Sequence, residues 1–123
     1  MIPESQWRWF GYPMHFICAD RCLWHLATQV GEYVVSSVGH MRPYIIDTGI
    51  GWKDAEPIGC NDAIYEVFVF RVTGRHDCGC PTIEGIELEG YRFGQKAWDE
   101  HEVAEGKHRE LCLRYAEMQD VAQ

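Results

Sequence analysis

Three short clusters of cysteine and histidine constrain the fold of this chain more than any other feature of its sequence. The chain of 123 residues contains six Cys and six His, and an even number of cysteines fits either a disulfide set or metal ligands. No basic and apolar leader is visible at the start, so we expect a cytoplasmic, reducing location, which disfavours disulfides. Zinc binding is therefore the better explanation of the clustered thiols.

The clusters supply six candidate zinc ligands, arranged in three pairs. In the first pair, three residues separate Cys18 from Cys22, and in the second pair one glycine separates Cys78 from Cys80. The third pair, His108 and Cys112, has i, i+4 spacing and so lies on one face of a predicted helix. One structural zinc ion needs only four of these ligands. The pairs are Cys18 and Cys22, Cys78 and Cys80, and His108 and Cys112.

The alternatives differ in which pairs share an ion. The first choice is a site with four thiolates, from Cys18, Cys22, Cys78 and Cys80. The second choice replaces the Cys78–Cys80 pair with His108 and Cys112, and a mixed set or two separate ions also remains open. The simpler interpretation is that these residues are buried free cysteines and hydrogen-bonded core histidines.

The rest of the pattern predicts an α+β fold in a single domain spanning residues 1–123. Residues 22–30 alternate between two faces, and Gly31-Glu32 fits a two-residue hairpin turn leading into residues 33–38. Residues 64–72 are β-branched and aromatic, which predicts a buried third strand. We expect a small antiparallel sheet of three or more strands, packed against a C-terminal helix and stabilised by zinc.

Residues 97–119 are predicted to form that helix, because inward-facing side chains recur at steps of three and four residues. The inward stripe consists of Ala97, His101, Ala104, His108, Leu111, Tyr115 and Met118. Gly106 weakens a helix by about 1 kcal/mol relative to Ala, so we expect the helix to bend or restart there. Residues 42–62 and 74–96 are rich in turn-forming residues, and we expect both to be loops.

The N-terminal segment is unusually aromatic, and its prolines and glycine predict an extended segment packed on the core. Few basic residues are interleaved with the aromatic ones, so these rings are expected to bury surface rather than to stack on bases. An alternative function is a pocket that sequesters a nucleotide-like small molecule, enclosed by a homo-oligomer. The residues lining that pocket would be Trp7, Arg8, Trp9 and Trp24.

The formal net charge of −8 lies entirely in the second half of the chain. Residues 1–53 contain four basic and four acidic side chains, whereas residues 54–123 contain seven and fifteen. Direct nucleic-acid binding is not expected, because duplex affinity depends on neutralising phosphates with Lys and Arg. An acidic surface suits a basic surface of a host protein, including one that normally binds nucleic acid. The simpler interpretation is a solvated surface.

The sequence favours a non-enzymatic protein. It contains no Walker loop, no His-Glu-x-x-His, no Gly-x-Ser-x-Gly and no deaminase pattern. A thiol- or metal-dependent enzyme would have to use Cys18 with His15 or His25 as its base. No stretch of about 18 apolar residues occurs, so no membrane association is expected.

Several short motifs carry a resemblance to other proteins. They are Trp7-Arg8-Trp9-Phe10-Gly11, His15-Phe16-Ile17-Cys18 with Cys22 and His25, Cys78-Gly79-Cys80, and Gly106-Lys107-His108 with Cys112. In these motifs the chain resembles a family of small uncharacterised phage and prophage proteins, over most of its length except residues 40–57. It departs from them at Met14, where Gly is usual, and at His40, where an acidic residue is usual. The resemblance implies expression in a bacterial host and no particular activity. The function expected from the whole sequence is binding to a host macromolecule, with inhibition of a bacterial defence system.

Overall fold

A computed structural model describes residues 1–10, 22–41, 63–95 and 101–119 of the chain. These residues form an antiparallel sheet with a helix packed on it, which confirms the predicted α+β class. Predictions for residues 11–21, 42–62 and 96–100 lie outside the described residues. In chain order the elements are a 3-10 turn (Glu4–Gln6), β1 (Arg8–Phe10), β2 (Cys22–Val30), β3 (Tyr33–Met41), β4 (Ala63–Arg75), β5 (Pro81–Ile83), β6 (Glu89–Gln95) and α1 (His101–Glu117).

The predicted hairpin between β2 and β3 is confirmed. Gly31 adopts a φ of 62°, which glycine reaches without steric cost, and Val30 pairs with Tyr33 across the turn. The sheet continues from β3 to β4, whose first part pairs with β6 and whose last part pairs with β5. The hairpin was predictable because its turn and its alternating strands are encoded within about 20 neighbouring residues.

The sheet curls, so that its first strand approaches the turn that follows β4. Arg8 of β1 donates a hydrogen bond to the carbonyl of Gly79, with a nitrogen–oxygen distance of 3.2 Å. In the order of the sheet, β2 and β3 lie between β1 and β4. Only a curled sheet brings these two residues into contact.

The prediction that residues 74–96 are loops was wrong, because β5 and β6 lie within them. The glycines of this region indicated a loop, but Gly90 has a different role. It lies directly opposite Phe68, and a Cβ atom added at Gly90 would come within 2.6 Å of the Phe68 ring. The glycine therefore makes room for an aromatic ring on the neighbouring strand.

The core lies between the sheet and α1. Strand β4 contributes Tyr65, Val67 and Val69, which are fully buried and cluster with residues of the inward stripe of α1. The stripe is confirmed at Ala104, His108, Leu111 and Tyr115, all of which are buried. Met118 was predicted wrongly: it lies in the turn after the helix and its side chain is 62% exposed.

The helix runs from His101 to Glu117 without restarting at Gly106. Packing does not require a glycine at position 106, because a Cβ atom added there would meet no neighbouring atom within 4 Å. None of the described helices is both long enough and apolar enough to cross a membrane.

The first residues of the chain are attached to the last helix. The backbone N–H of Ile2 donates to the carbonyl of Ala116 at 3.0 Å. The guanidinium of Arg109 binds both carboxylate oxygens of Glu4, at 2.9 and 3.0 Å. These contacts fix the start of β1 beside α1.

Candidate functional site

The second cysteine cluster forms an exposed turn after β4. The Sγ atoms of Cys78 and Cys80 are 3.0 Å apart in a thiol–thiol hydrogen bond. A hydrogen bond of 2.8 Å from the backbone N–H of His76 to the carbonyl of Cys80 closes the turn. The hydrogen bond from Cys80 lowers the pKa of the Cys78 thiol. The turn therefore presents two neighbouring thiols, of which Cys78 ionises more readily than an ordinary cysteine.

The strand register separates this turn from Cys22. Cys22 begins β2 at the end of the sheet where β4 starts, whereas Cys80 lies beside the last residues of β4. From Ala63 to Arg75, β4 makes twelve residue steps, or about 40 Å along an extended strand. Thiolates on one zinc ion lie roughly 3.8 Å apart, given bonds of about 2.3 Å. This register does not bring Cys22 to the Cys78–Cys80 pair, and Cys18 lies outside the described residues.

His108 is buried under α1 and is hydrogen bonded through both ring nitrogens. Its Nε2 lies 2.8 Å from the hydroxyl of Thr28 and its Nδ1 lies 2.6 Å from the hydroxyl of Ser37. The ring of Trp9 stacks on it, with centroids 5.9 Å apart. Burial lowers the pKa of His108 to about 4, so the ring is neutral near pH 7. Both nitrogens are occupied by hydroxyl groups, so this arrangement presents neither of them to a metal ion.

Cys112 lies one helical turn after His108 and is also fully buried. Burial raises the pKa of its thiol to about 12, although a hydrogen bond with Thr28 acts in the opposite direction. A thiol in this setting is protonated and inert. The i, i+4 spacing correctly predicted that the two side chains share one face of the helix, and the structure places this pair in the packing of α1 on β2 and β3.

Zinc binding itself stays a prediction. Within residues 1–10, 22–41, 63–95 and 101–119, no group of three or more His, Cys, Asp or Glu side chains is arranged to hold a metal ion. Among the described residues, three cysteines have free thiols. Cys78 is exposed, Cys80 is half-buried and Cys112 is buried.

The four residues predicted to line a small-molecule pocket do not meet. Trp7 is buried in the core, whereas Trp9 is 53% exposed. Trp9 pairs with Thr28 of β2. Trp24 lies four residues away from Thr28 on the same strand, a distance of about 13 Å. Arg8 lies on the opposite face of the sheet from Trp9, because neighbouring strand residues alternate. The structure does contain an open cleft of about 450 Å³ between the hairpin turn and the end of α1, but none of these four residues lines it.

Exposed apolar side chains, and carboxylates that form no ion pair among the described residues, occur on the outward side of α1 and on the β5–β6 connection. A shallow groove of about 420 Å³ runs along the outward face of the helix from Gly106 past Leu113 to Glu117. The apolar side chains of this surface are between 40% and 76% exposed. The acidic–apolar surface, as we refer to it, consists of Glu84, Ile86, Glu87, Leu88, Glu102, Val103, Glu105, Leu113 and Glu117.

The basic side chains of α1 do not neutralise this surface, because each is bound to a different carboxylate. The pairs are Lys107–Glu110 at 2.7 Å, Arg109–Glu4 at 2.9 Å and Arg114–Glu89 at 3.1 Å. Residues 84–89 and 102–117 together contain three basic and seven acidic side chains, so 3 − 7 gives −4. Half of the formal charge of the chain therefore lies in these two segments.

Glu89, at the start of β6, is hydrogen bonded to α1, and no pattern in the sequence had indicated this role. Its carboxylate accepts hydrogen bonds from the hydroxyls of Tyr91 and Tyr115 and from Arg114. Burial alone would raise the pKa of Glu89, but these two hydroxyls and the charge of Arg114 lower it. The sequence feature that could have indicated this region is the alternation of apolar and acidic residues over residues 83–89, which is typical of a half-exposed strand.

Two features of the described residues thus have accessible chemistry. The Cys78–Cys80 turn offers thiols, and the acidic–apolar surface offers carboxylates beside exposed apolar groups. Comparison of the chain with models of known protein families, with curated proteins and with solved protein structures finds no match.

Proposed function

We propose that the chain is a small non-enzymatic binding protein whose acidic–apolar surface attaches to a basic surface of a host protein. The observation that carries the proposal is the combination of exposed apolar side chains with carboxylates that no basic residue of the described chain neutralises. Val103, Leu113 and Ile86 are all at least 40% exposed. Exposed apolar groups with polar groups around them are typical of protein–protein contact surfaces.

The unpaired carboxylates would select the partner. Charged groups around an apolar contact accelerate association with a surface of opposite charge and exclude surfaces of like charge. The basic side chains of α1 are held in ion pairs by Glu4, Glu89 and Glu110, so they are not available to attract an acidic partner. A basic protein surface, including one that normally binds nucleic acid, is therefore the partner of matching chemistry.

The resemblance to small phage proteins supports a bacterial partner. A phage protein without catalytic residues can act on its host by covering a functional surface of a host macromolecule. We propose that the surface covered belongs to a bacterial defence system. Expression of the chain in bacteria that carry such a system should restore plating of a phage that the system normally blocks.

Charge reversal on the surface provides a direct test. The double variant Glu102→Lys, Glu105→Lys reverses two exposed carboxylates on α1. Its control is Glu32→Lys, Asp77→Lys, which changes the net charge equally on exposed, unpaired residues elsewhere. Host proteins retained by the wild-type chain from a bacterial lysate are identified by mass spectrometry, purified and titrated against all three chains.

We expect the α1 variant to bind the purified partner about tenfold more weakly at low salt, because electrostatic attraction governs encounter. The difference should shrink at high salt, since surface charges are screened there. The control variant should bind like the wild-type chain. Equal losses in both variants, or retention of a nucleotide or nucleic acid instead of a protein, would refute the proposal.

We also propose that zinc stabilises the fold, as the cysteine clusters predict. The support is the number of thiols in the sequence; Cys18 lies outside the described residues. Elemental analysis of the purified chain should find about one zinc ion per chain, and a strong chelator should lower the melting temperature. A metal-free chain with an unchanged melting curve would remove zinc from the proposal.

A further inference from the structure

The Cys78–Cys80 turn is preorganised by contacts on several sides. Its Sγ atoms already lie 3.0 Å apart, and the backbone of Gly79 adopts a φ of 93° between them. The N–H of Gly79 donates to the carbonyl of His76 at 2.9 Å, and its own carbonyl accepts from Arg8 at 3.2 Å. The following residue, Pro81, is buried. The two thiols are thus held together mainly by the local backbone, with one further contact from Arg8 of β1.

The chemistry of the turn is that of a dithiol open to solvent. Cys78 is exposed and Cys80 is half-buried, so a solute can reach both sulfur atoms. The thiolate is the form of cysteine that binds metals. Thiolates select soft cations such as Cu(I) and Zn(II).

We infer that the Cys78–Gly79–Cys80 turn is a two-thiolate chelating site for a soft cation of low coordination number, with Cu(I) as the biological example. The inference follows from the sulfur–sulfur contact and from the position of the turn at the far end of the sheet from Cys22. Binding replaces the thiol–thiol hydrogen bond by two metal–sulfur bonds, releases the thiol protons and moves the sulfur atoms apart from 3.0 Å to about 3.8 Å or more.

The coordination number decides between the cations. Zinc requires four ligands in a structural site, and two thiolates leave half of its shell to water. Among the described residues, no third His, Cys, Asp or Glu side chain joins the pair in a group that could hold a metal. The turn should therefore bind Cu(I) more tightly than Zn(II). This inference is independent of the protein-binding surface, which lies on α1 and the β5–β6 connection.

The test is a titration of the whole chain with Cu(I) alone, under anaerobic reducing conditions and against a chromophoric Cu(I) chelator. The double variant Cys78→Ser, Cys80→Ser should lose one tightly bound Cu(I) per chain, whereas Cys22→Ser should retain it. Cys112→Ala is the control for loss of a thiol that is buried. Circular dichroism of each variant verifies that the fold persists, and the serine substitutions at exposed Cys78 and half-buried Cys80 should leave it intact.

Two results would overturn the inference. One is an unchanged Cu(I) stoichiometry in the double variant. The other is loss of the same equivalent in Cys22→Ser, since this would show that Cys22 and the turn share one site. A parallel titration with Zn(II) alone should show weaker binding to the turn. Zinc bound more tightly than Cu(I) and lost in both variants would instead indicate the four-thiolate site.

Discussion

Protonation of His108 should destabilise the fold in mildly acidic solution, because the ring is buried between Thr28 and Ser37. In the unfolded chain the imidazole has its ordinary pKa of 6.5, whereas burial lowers it to about 4 in the folded protein. Between these pH values the unfolded chain binds more protons than the folded one. The stabilising contribution is therefore complete above pH 6.5 and is lost progressively as the pH falls towards 4.

The size of the effect follows from the two pKa values. Their difference, 6.5 − 4, is 2.5, which corresponds to about 3.4 kcal/mol if the whole range is crossed. Between about pH 7 and about pH 4.5 the free energy of unfolding should fall by roughly 2.4 kcal/mol. The carboxylates with lowered pKa values, among them Glu89, lose their contributions only below about pH 4.5. The interval above that value thus separates the contribution of His108 from that of these carboxylates.

Urea unfolding at a series of pH values measures this free energy directly. The variant His108→Gln removes the titrating ring but retains hydrogen-bonding groups, so its stability should vary less with pH over the same interval. His76→Gln is the matched control, because His76 is exposed. Repeating the series with a chelator separates proton binding from metal release. The dependence of the free energy of unfolding on pH should not change.

The outcome that contradicts this reasoning is an equal pH dependence in the wild-type chain and in His108→Gln. If the variant does not fold, the ring resonances of the wild-type protein answer the same question by NMR. His108 should stay neutral well below pH 6, and a midpoint near its ordinary value would show that the ring is not buried as described.

Three further predictions concern core packing, a hydrogen bond and an ion pair. Leu111→Ala should reduce the free energy of unfolding by about 2–5 kcal/mol, because Leu111 is fully buried. Leu113→Ala, two residues away and 40% exposed, should cost less than about 0.5 kcal/mol in the same urea experiment. Tyr115→Phe removes a hydroxyl that donates to a carboxylate at 2.6 Å and should cost about 1.5–3 kcal/mol in chemical denaturation. Glu4→Gln breaks the exposed pair with Arg109 and should lower the melting temperature at low salt only; an effect of equal size at high salt would contradict a screened ion pair.

The elements that could be predicted from sequence are those specified by neighbouring residues. The β2–β3 hairpin depends on Gly31 and on two alternating strands beside it, and α1 depends on its own stripe of inward side chains. Strand β6 could not be recognised in the same way. The structural role of Gly90 can be recognised only when Phe68, twenty-two residues earlier, is known to lie opposite it.

The candidate site shows the same limit. The spacing of His108 and Cys112 indicated a shared helix face but not what that face meets, and the structure supplies hydroxyl groups from two strands. The spacing of Cys78 and Cys80 was sufficient to predict a close pair. It could not predict the distance of that pair from Cys22, which is set by the register of β2, β3 and β4.

The attachment of Ile2 and Glu4 to α1 has a consequence for the order in which the chain folds. These contacts join residues more than a hundred positions apart, and closing such long loops is slow compared with forming a hairpin. During synthesis the β2–β3 hairpin is made long before the helix that covers it. The residues before β1 must therefore wait until translation reaches the helix before they can dock, although β1 itself can pair with β2 earlier. The uncovered sheet is the stage at which a chaperone would be most useful.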